Sequence, residues 1–338
     1  MKQFIQHLIE GRDLSQQDAY EALTLIMKGE ATPAQIASFL TALRLRGETP
    51  EVVAGAAKAM REAFTPVTSI HPDAVDTCGT GGDGLNTFNI STTAAFVTAG
   101  AGVPVAKHGN RNVSSLSGSA DVLTSLGVNI AITPDQMGAC LEEVGLAFLF
   151  APSLHPAMKH AVGPRREIGI RTLFNVLGPI SNPASTRRGV LGVFNKDMVV
   201  LIADALANLG TQHLLVVHGD DGLDEITNTA STTVGEVRNG KVELYHVHPQ
   251  DFGFPISKIE DLKGGDPEAN ATITRNILEG ESGAKRDIVL LNAGAAIYAG
   301  GKAANLAEGV SKATESIDSG AAKQKLDQLI AFTKACGE

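Results

Sequence analysis

The chain of 338 residues has no tryptophan, three tyrosines and only 4% aromatic residues. So few rings argue against the stacking platforms on which single-stranded nucleic acids lie. A formal net charge of -9 at pH 7 argues against the broad cationic surface by which proteins gather nucleic acid. Cysteine is scarce as well: Cys78, Cys140 and Cys336 are far apart, with neither metal-ligand spacing nor a disulfide framework. Every apolar run is broken by polar residues before it reaches membrane-spanning length, and Met1 to His7 lacks the long apolar stretch of a secretion signal. The expectation is a cytoplasmic protein with reduced thiols and with neither nucleic acid nor membrane as a partner. The acidic balance leaves room for a small anionic substrate, because local cations or a bound metal can reverse the potential inside a cleft.

Glycine is plentiful, with 36 residues, which suits close approach of backbone to a ligand. Apolar residues make up 43% and charged residues 19%, as in an ordered globular chain long enough for one large or two medium domains. The first 65 residues read as helices. Ser15 can cap a helix carrying Ala19, Ala22, Leu23, Ile26 and Met27 on its apolar side, with Gly29 as its stop. Thr32-Pro33-Ala34-Gln35 supplies a cap, a proline at the first helical position and a glutamine suited to a capping box, and Thr49-Pro50-Glu51 repeats that start.

After Pro66 short apolar runs alternate with helical segments, which predicts an α/β domain over 66–338 following a helical domain over 1–65. Strands are expected at Val103–Lys107, Gly189–Phe194, His213–His218 and Ile288–Leu291. Helices are expected at Ile90–Ala99, Ser119–Leu126, Pro134–Val144 and Met198–Leu209. The Pro-, Gly- and Arg-rich stretch near 163–185 is expected to cross back toward the helical domain, and the alanine-rich stretch from Ala303 to Ala322 to be packed helix.

The chemistry concentrates in a few short motifs. Asp76-Thr77-Cys78-Gly79-Thr80-Gly81-Gly82-Asp83-Gly84 holds four glycines in six positions, a loop whose amides can converge on an anion with no side chain in the way. A helix beginning near Asn89-Ile90-Ser91-Thr92 adds free amides and two hydroxyls, making a cradle for phosphate or pyrophosphate. The plain alternative is a glycine turn followed by an ordinary helix cap. The loop lacks the Gly-Lys-Ser/Thr ending of an ATP-binding P-loop and the usual dinucleotide spacing.

Lys107-His108-Gly109-Asn110-Arg111 follows a Val-rich strand, at the carboxyl end where open α/β sheets bind ligands. Lys107 can neutralise phosphate there, while His108 and Asn110 offer directional polar atoms to a second substrate. In Asn112 to Asp121, Ser114, Ser115 and Ser119 can donate to phosphate ahead of an apolar helix or simply cap it. Asp224 and Glu225, after the strand Leu214–Val217, offer hard oxygens that can hold magnesium together with Ser91; otherwise they are a solvated acidic turn. Arg165 and Arg166, followed by Phe174-Asn175-Val176-Leu177-Gly178, form either a carboxylate fork beside an aromatic-ring pocket or a surface salt-bridging segment.

With these motifs in this order, nearly the whole chain resembles the anthranilate phosphoribosyltransferases of tryptophan biosynthesis. The resemblance implies a small α-helical domain joined to a larger α/β domain with a central sheet flanked by helices, with the substrates meeting at the hinge. It implies that Gly79, Gly82, Asp83, Thr87, Asn89, Ile90, Ser91, Thr92, Lys107, His108, Gly109, Asn110, Arg111, Asn112, Val113, Ser114, Ser115 and Ser119 bind phosphoribosyl pyrophosphate (PRPP). It also implies Mg2+ at Ser91, Asp224 and Glu225, anthranilate at Gly79, His108, Asn110, Arg165 and Gly178, and a catalytic role in positioning or proton relay for Lys107 and His108. Homodimerisation through the helical domains and a separate anthranilate synthase partner belong to the same expectation; no fused glutamine amidotransferase domain is recognisable. Two other readings stay open: a pyrimidine nucleoside phosphorylase, which shares the architecture but is disfavoured by the Lys107 to Arg111 motif, and a non-catalytic phosphate or nucleic-acid binder.

Overall fold

The capping signals are used as the sequence arranges them. In the computed structural model, which describes residues 1–111 and 116–337, the chain opens with helices α1 (Lys2–Ile9), α2 (Gln16–Met27), α3 (Pro33–Arg46) and α4 (Pro50–Glu62). Ser15 and Thr32 close reciprocal capping boxes with Asp18 and Gln35, and the Thr49 hydroxyl accepts the Val52 amide. Each cap satisfies amides that the first helical turn leaves without partners.

The rest of the chain builds a seven-stranded sheet in the order β3-β2-β1-β4-β5-β6-β7. In chain order the elements are β1 (Val75–Asp76), α5 (Ile90–Gly100), β2 (Val105–Gly109), α6 (Ser119–Leu126), α7 (Pro134–Val144), β3 (Leu146–Phe150), α8 (Ala151–Leu154), α9 (Lys159–Ile168), α10 (Phe174–Leu177), β4 (Arg188–Gly192), α11 (Asp197–Ala207), β5 (His213–Gly219), β6 (Thr232–Arg238), β7 (Lys241–Val247), α12 (Pro267–Leu278), α13 (Ala284–Ala299), α14 (Leu306–Asp318) and α15 (Ala321–Ala335). The first five strands of the sheet order are parallel, while β6 and β7 add an antiparallel edge. The chain winds outward from β1 through β2 to β3, then returns to the other side of β1 for β4. The carboxyl ends of β1 and β4 therefore flank the crevice where loops diverge and ligands bind in open α/β sheets.

Alternation along the strands sorts side chains between two cores. Val190, Leu215 and Val217 join a core with helices such as α5 and α13, whereas Leu191 and Val216 face the opposite core. That second core is shared with the opening helices and with α11, and it includes Phe4, Leu23, Phe39 and Val53 as well as Ala161, Phe174, Leu177 and Ile180. Residues from the Pro-, Gly- and Arg-rich segment thus pack among the opening helices, which carries Arg165 to the boundary between bundle and sheet.

One expected strand is wrong. Ile288–Leu291 lies inside the 16-residue α13, whose buried residues run almost without interruption from Ile288 to Ala299. A helix buried on nearly all sides shows the same short apolar run as an interior strand, and the helix-forming alanines around it decide the outcome. The expected strand at Val103–Lys107 begins two residues later, because Gly102 and Val103 turn out of α5.

Candidate active site

Three carboxyl strand ends and two helix starts meet at the crevice. β1 runs into the glycine loop, where Gly81, Gly82 and Gly84 have φ values of 64°, 81° and 77°, a region that side chains other than glycine rarely adopt. The loop is tied to β4 by a parallel bridge from Gly79 to Gly192 and by the Thr80 amide, which donates to the Gly192 carbonyl at 2.8 Å. It is tied to the acidic turn by the Gly81 amide, which donates to Asp224 Oδ2 at 2.8 Å. A Cβ at Gly79 would stand 2.8 Å from the same oxygen, and one at Gly192 would overlap the Asp224 carbonyl. Glycine at both positions is what lets the acidic turn come against the loop.

Asp83, Asp224 and Glu225 consequently share one small region. Burial and then Asp83 push Asp224 up to about 7, while burial and then Asp224 push Glu225 well above the ordinary carboxylate range. Like charges gathered in a partly desolvated crevice cannot all ionise without a compensating cation. Their hard oxygens, with the Ser91 hydroxyl at the start of α5, suit a magnesium ion that takes its remaining ligands from substrate phosphate and water. A second donor group, Asp76, Cys78 and His108, also lies within metal-binding distance. It fits magnesium poorly: Asp76 already accepts the His108 amide and the Asn182 side chain, and burial pushes the Cys78 thiol up so that it stays protonated.

Lys107 sits beneath the cradle. It is 2% exposed, the only fully buried lysine or arginine among the described residues. Its ammonium donates to the Thr77 carbonyl at 2.7 Å and lies 3.3 Å from both the Thr77 and Ser91 hydroxyls. There it favours the charged forms of Asp76 and Glu225.

His108 follows on β2, its amide held by Asp76 Oδ1 at 3.1 Å. Its Nε2 lies 3.2 Å from Nε2 of His155, whose ring in turn meets Phe64 edge-on. Burial and then His155 push His108 down to about 3, and burial pushes His155 down to about 4. Both imidazoles are therefore neutral near pH 7, one donating and the other accepting. Arg165, half-buried on α9, stacks its guanidinium 5.1 Å from the Phe174 ring and makes no ion pair among the described residues. A Cβ at Gly178 would meet nothing within 4 Å, so space lies open in front of it.

The other expected residues divide by what they already hold. Thr92 donates to the Ser119 hydroxyl at 3.1 Å, joining the starts of α5 and α6. Thr87 bridges to Lys263, Ile90 is buried in the core, and Gly109 passes so close to Phe148 that a Cβ would stand 2.7 Å from its ring. The Asn89 side chain is engaged with Ser117 and Asn270. Asn110 is exposed and accepts the Arg111 amide, while Arg111 pairs with Asp121 at 2.9 Å. Asn112, Val113, Ser114 and Ser115 lie outside the described residues.

Three participants escaped sequence reasoning. His155 follows an apolar strand without a motif around it, and only its contact with His108 singles it out. Arg171 donates to the Gly82 carbonyl and stacks 4.1 Å from the Phe194 ring; it was hidden among the other arginines of its segment. Asn292 on α13 accepts the Ile226 amide and donates to the Ile226 carbonyl, both at 2.9 Å, clamping the peptide just after the acidic pair.

A helical-bundle domain of the glycosyl transferase family matches residues 2–64, and the family's a/b domain matches residues 71–323. Anthranilate phosphoribosyltransferase of Acetivibrio thermocellus is 54% identical over 99% of this chain and 97% of its own length. The crystal structure of anthranilate phosphoribosyltransferase from Thermus thermophilus superposes with a TM-score of 0.93 at 45% identity, covering 98% of this chain and 99% of the other. The Saccharomyces cerevisiae enzyme in complex with PRPP and Mg superposes with a TM-score of 0.90 at 30% identity, covering 98% and 97% of the two chains.

Proposed function

The chain belongs to the anthranilate phosphoribosyltransferase family, and on that premise we infer that it transfers the phosphoribosyl group of PRPP to the amine of anthranilate. The products are N-(5-phosphoribosyl)anthranilate and pyrophosphate, in the biosynthesis of tryptophan. The observation that carries the assignment of groups is the convergence of Asp83, Asp224 and Glu225 on an open glycine loop. A polyanionic donor can enter so negative a crevice only with a divalent cation.

Ser91, Asp224 and Glu225, with Asp83 beside them, would hold magnesium, which when bound would offset charge on the donor and on the leaving pyrophosphate. The remaining amides of the glycine loop, those of Thr80 and Gly81 being held by Gly192 and Asp224, and the starts of α5 and α6 present amides and hydroxyls to the phosphates. Arg165, half-buried and without an ion pair among the described residues, holds the anthranilate carboxylate with its planar fork. His108, His155, Asn110 and the open face of Gly178 bound the ring.

The reaction breaks the C1–O bond to pyrophosphate and forms a C1–N bond to the amine, with positive charge developing at ribose C1. Anthranilate's amine is neutral near pH 7, so its lone pair attacks without prior deprotonation, and once the C1–N bond has formed the surplus N–H proton passes to the released pyrophosphate. His108, held down at about 3, is too weak a base to drive the step; it accepts a hydrogen bond and fixes the angle of attack. Closing bundle against sheet aligns the two substrates and excludes water.

We also propose that the enzyme works in the cytoplasm as a homodimer joined through its opening helices. Ile9 and Leu45 on α1 and α3, 69% and 84% exposed, are apolar side chains that such an interface would cover. The function is tested by following anthranilate fluorescence and released pyrophosphate together. Equal, magnesium-dependent changes are expected, and pyrophosphate release with anthranilate untouched would reject the assignment.

A further inference from the structure

Behind the donor pocket lies a buried amide that the proposed chemistry leaves unused. Asn270, near the start of α12, is 1% exposed. Its Oδ1 accepts the Gly265 amide at 2.8 Å, and its Nδ2 donates to Asn89 Oδ1 at 3.0 Å. A backbone N–H can only donate, so Asn270 must turn its oxygen to Gly265 and its NH2 group to Asn89. Asn89 must then present its own oxygen to Asn270, which leaves its Nδ2 to donate to the Ser117 carbonyl at 3.1 Å, while the Ser117 hydroxyl donates back to Asn89 Oδ1 at 3.2 Å. The polarity of Asn89 is thus dictated by a peptide N–H two side chains away.

The surroundings hold this relay rigid. Gly264 donates to the Asn86 carbonyl at 3.0 Å, Thr87 bridges to Lys263, and a Cβ at Gly264 would stand 2.6 Å from Asn270 Oδ1 and 2.7 Å from Phe88 Cα. Further along, Thr274 of α12 meets Thr93 of α5 at 3.0 Å between hydroxyls. We propose that Asn270 is a positioning residue for the phosphoribosyl donor: by fixing the Asn89 amide it locks the start of α5 to Ser117, just before α6, and so sets the separation of the two helix starts. The proposal rests on the reading that PRPP binds between those starts.

The test compares Asn270→Asp and Asn270→Ala in the full chain. At pH 8.5 the carboxylate of Asn270→Asp still accepts the Gly265 amide but faces Asn89 Oδ1 with no proton between them. Leaving a buried hydrogen bond unmade in this way is expected to raise the KM for PRPP about tenfold or more, with the KM for anthranilate nearly unchanged. Lowering the pH to 6 protonates the buried carboxyl, restores a donor and shrinks the defect, whereas the defect of Asn270→Ala stays flat with pH. In an Asn89→Ala background, Asn270→Asp should add less than about twofold. A role in packing alone would make Asn270→Ala the worse variant and raise both KM values together, and that result, or additivity with Asn89→Ala, overturns the proposal. A wild-type chain that fails to bind PRPP by calorimetry removes the donor-site reading and this proposal with it.

Discussion

Replacing Asp224 by Asn removes one charge from the acidic group and keeps an oxygen to accept the Gly81 amide. The carboxyl is pushed from its ordinary value of 3.8 up to about 7, which at about 1.4 kcal/mol per pH unit sets a ceiling of about 4 kcal/mol on the cost of ionising it in the folded chain. Partial exposure to solvent screens that cost, so about 1 to 2 kcal/mol is the working figure. The sign follows from linkage. A group whose folded value lies above its unfolded one contributes stability that is complete below the unfolded value and is lost as pH rises through the folded one. Metal-free wild type should therefore lose thermal stability between about pH 4 and pH 8, and Mg2+ should restore it at the upper end. Asn at position 224 cannot ionise, and Asp224 is the largest charge that raises Glu225. Metal-free Asp224→Asn should thus melt a few degrees higher than wild type at pH 8 while needing at least tenfold more Mg2+ for half-maximal turnover. Scanning calorimetry across pH, with and without Mg2+, gives both quantities when paired with a magnesium titration of the rate. Equal melting points at pH 8 together with an unchanged magnesium requirement would refute the reasoning.

Arg165→Ala should raise the KM for anthranilate at least tenfold and leave that for PRPP within about twofold, as steady-state kinetics can show, because its guanidinium has no other anionic partner among the described residues. Lys107→Met should cost about 3 kcal/mol in chemical denaturation, since it strands Asp76 and Glu225 without their buried counter-charge; a loss of activity with stability intact would place the ammonium on the substrate instead. At the far end of the sheet, Glu236 takes hydrogen bonds from His213, Tyr245 and Tyr298 at 2.8 to 2.9 Å, and these partners hold it down at about 2. That stability is present above pH 4.5 and lost as pH falls toward 2, so Glu236→Gln should lower the melting temperature at pH 7 by a few degrees and flatten its fall with acid, with both KM values unchanged.

Local signals in this sequence were legible wherever a few adjacent residues decide the structure. Ser15, Thr32 and Thr49 announce three helices because a cap needs only its own first turn. The glycine loop, the Lys107 to Arg111 motif and the acidic pair were equally readable as candidates, since each is a short string of adjacent glycines or polar groups. What stayed hidden depends on residues distant in sequence. His155 gains its place through His108, 47 positions away, and Arg171 reaches Gly82 across 89. The burial of Lys107 is likewise invisible until Thr77 and Ser91 close over it. Ile288–Leu291 failed for the complementary reason: inside a helix buried on almost every side, periodicity no longer distinguishes helix from strand.

The most direct test of the whole account is a single assay of anthranilate fluorescence and pyrophosphate release with PRPP present, run with and without Mg2+. One anthranilate consumed for each pyrophosphate released, in the magnesium-containing reaction alone, is the predicted result. Pyrophosphate release at the same rate without anthranilate, or no release from folded protein with both substrates and Mg2+ present, would contradict it.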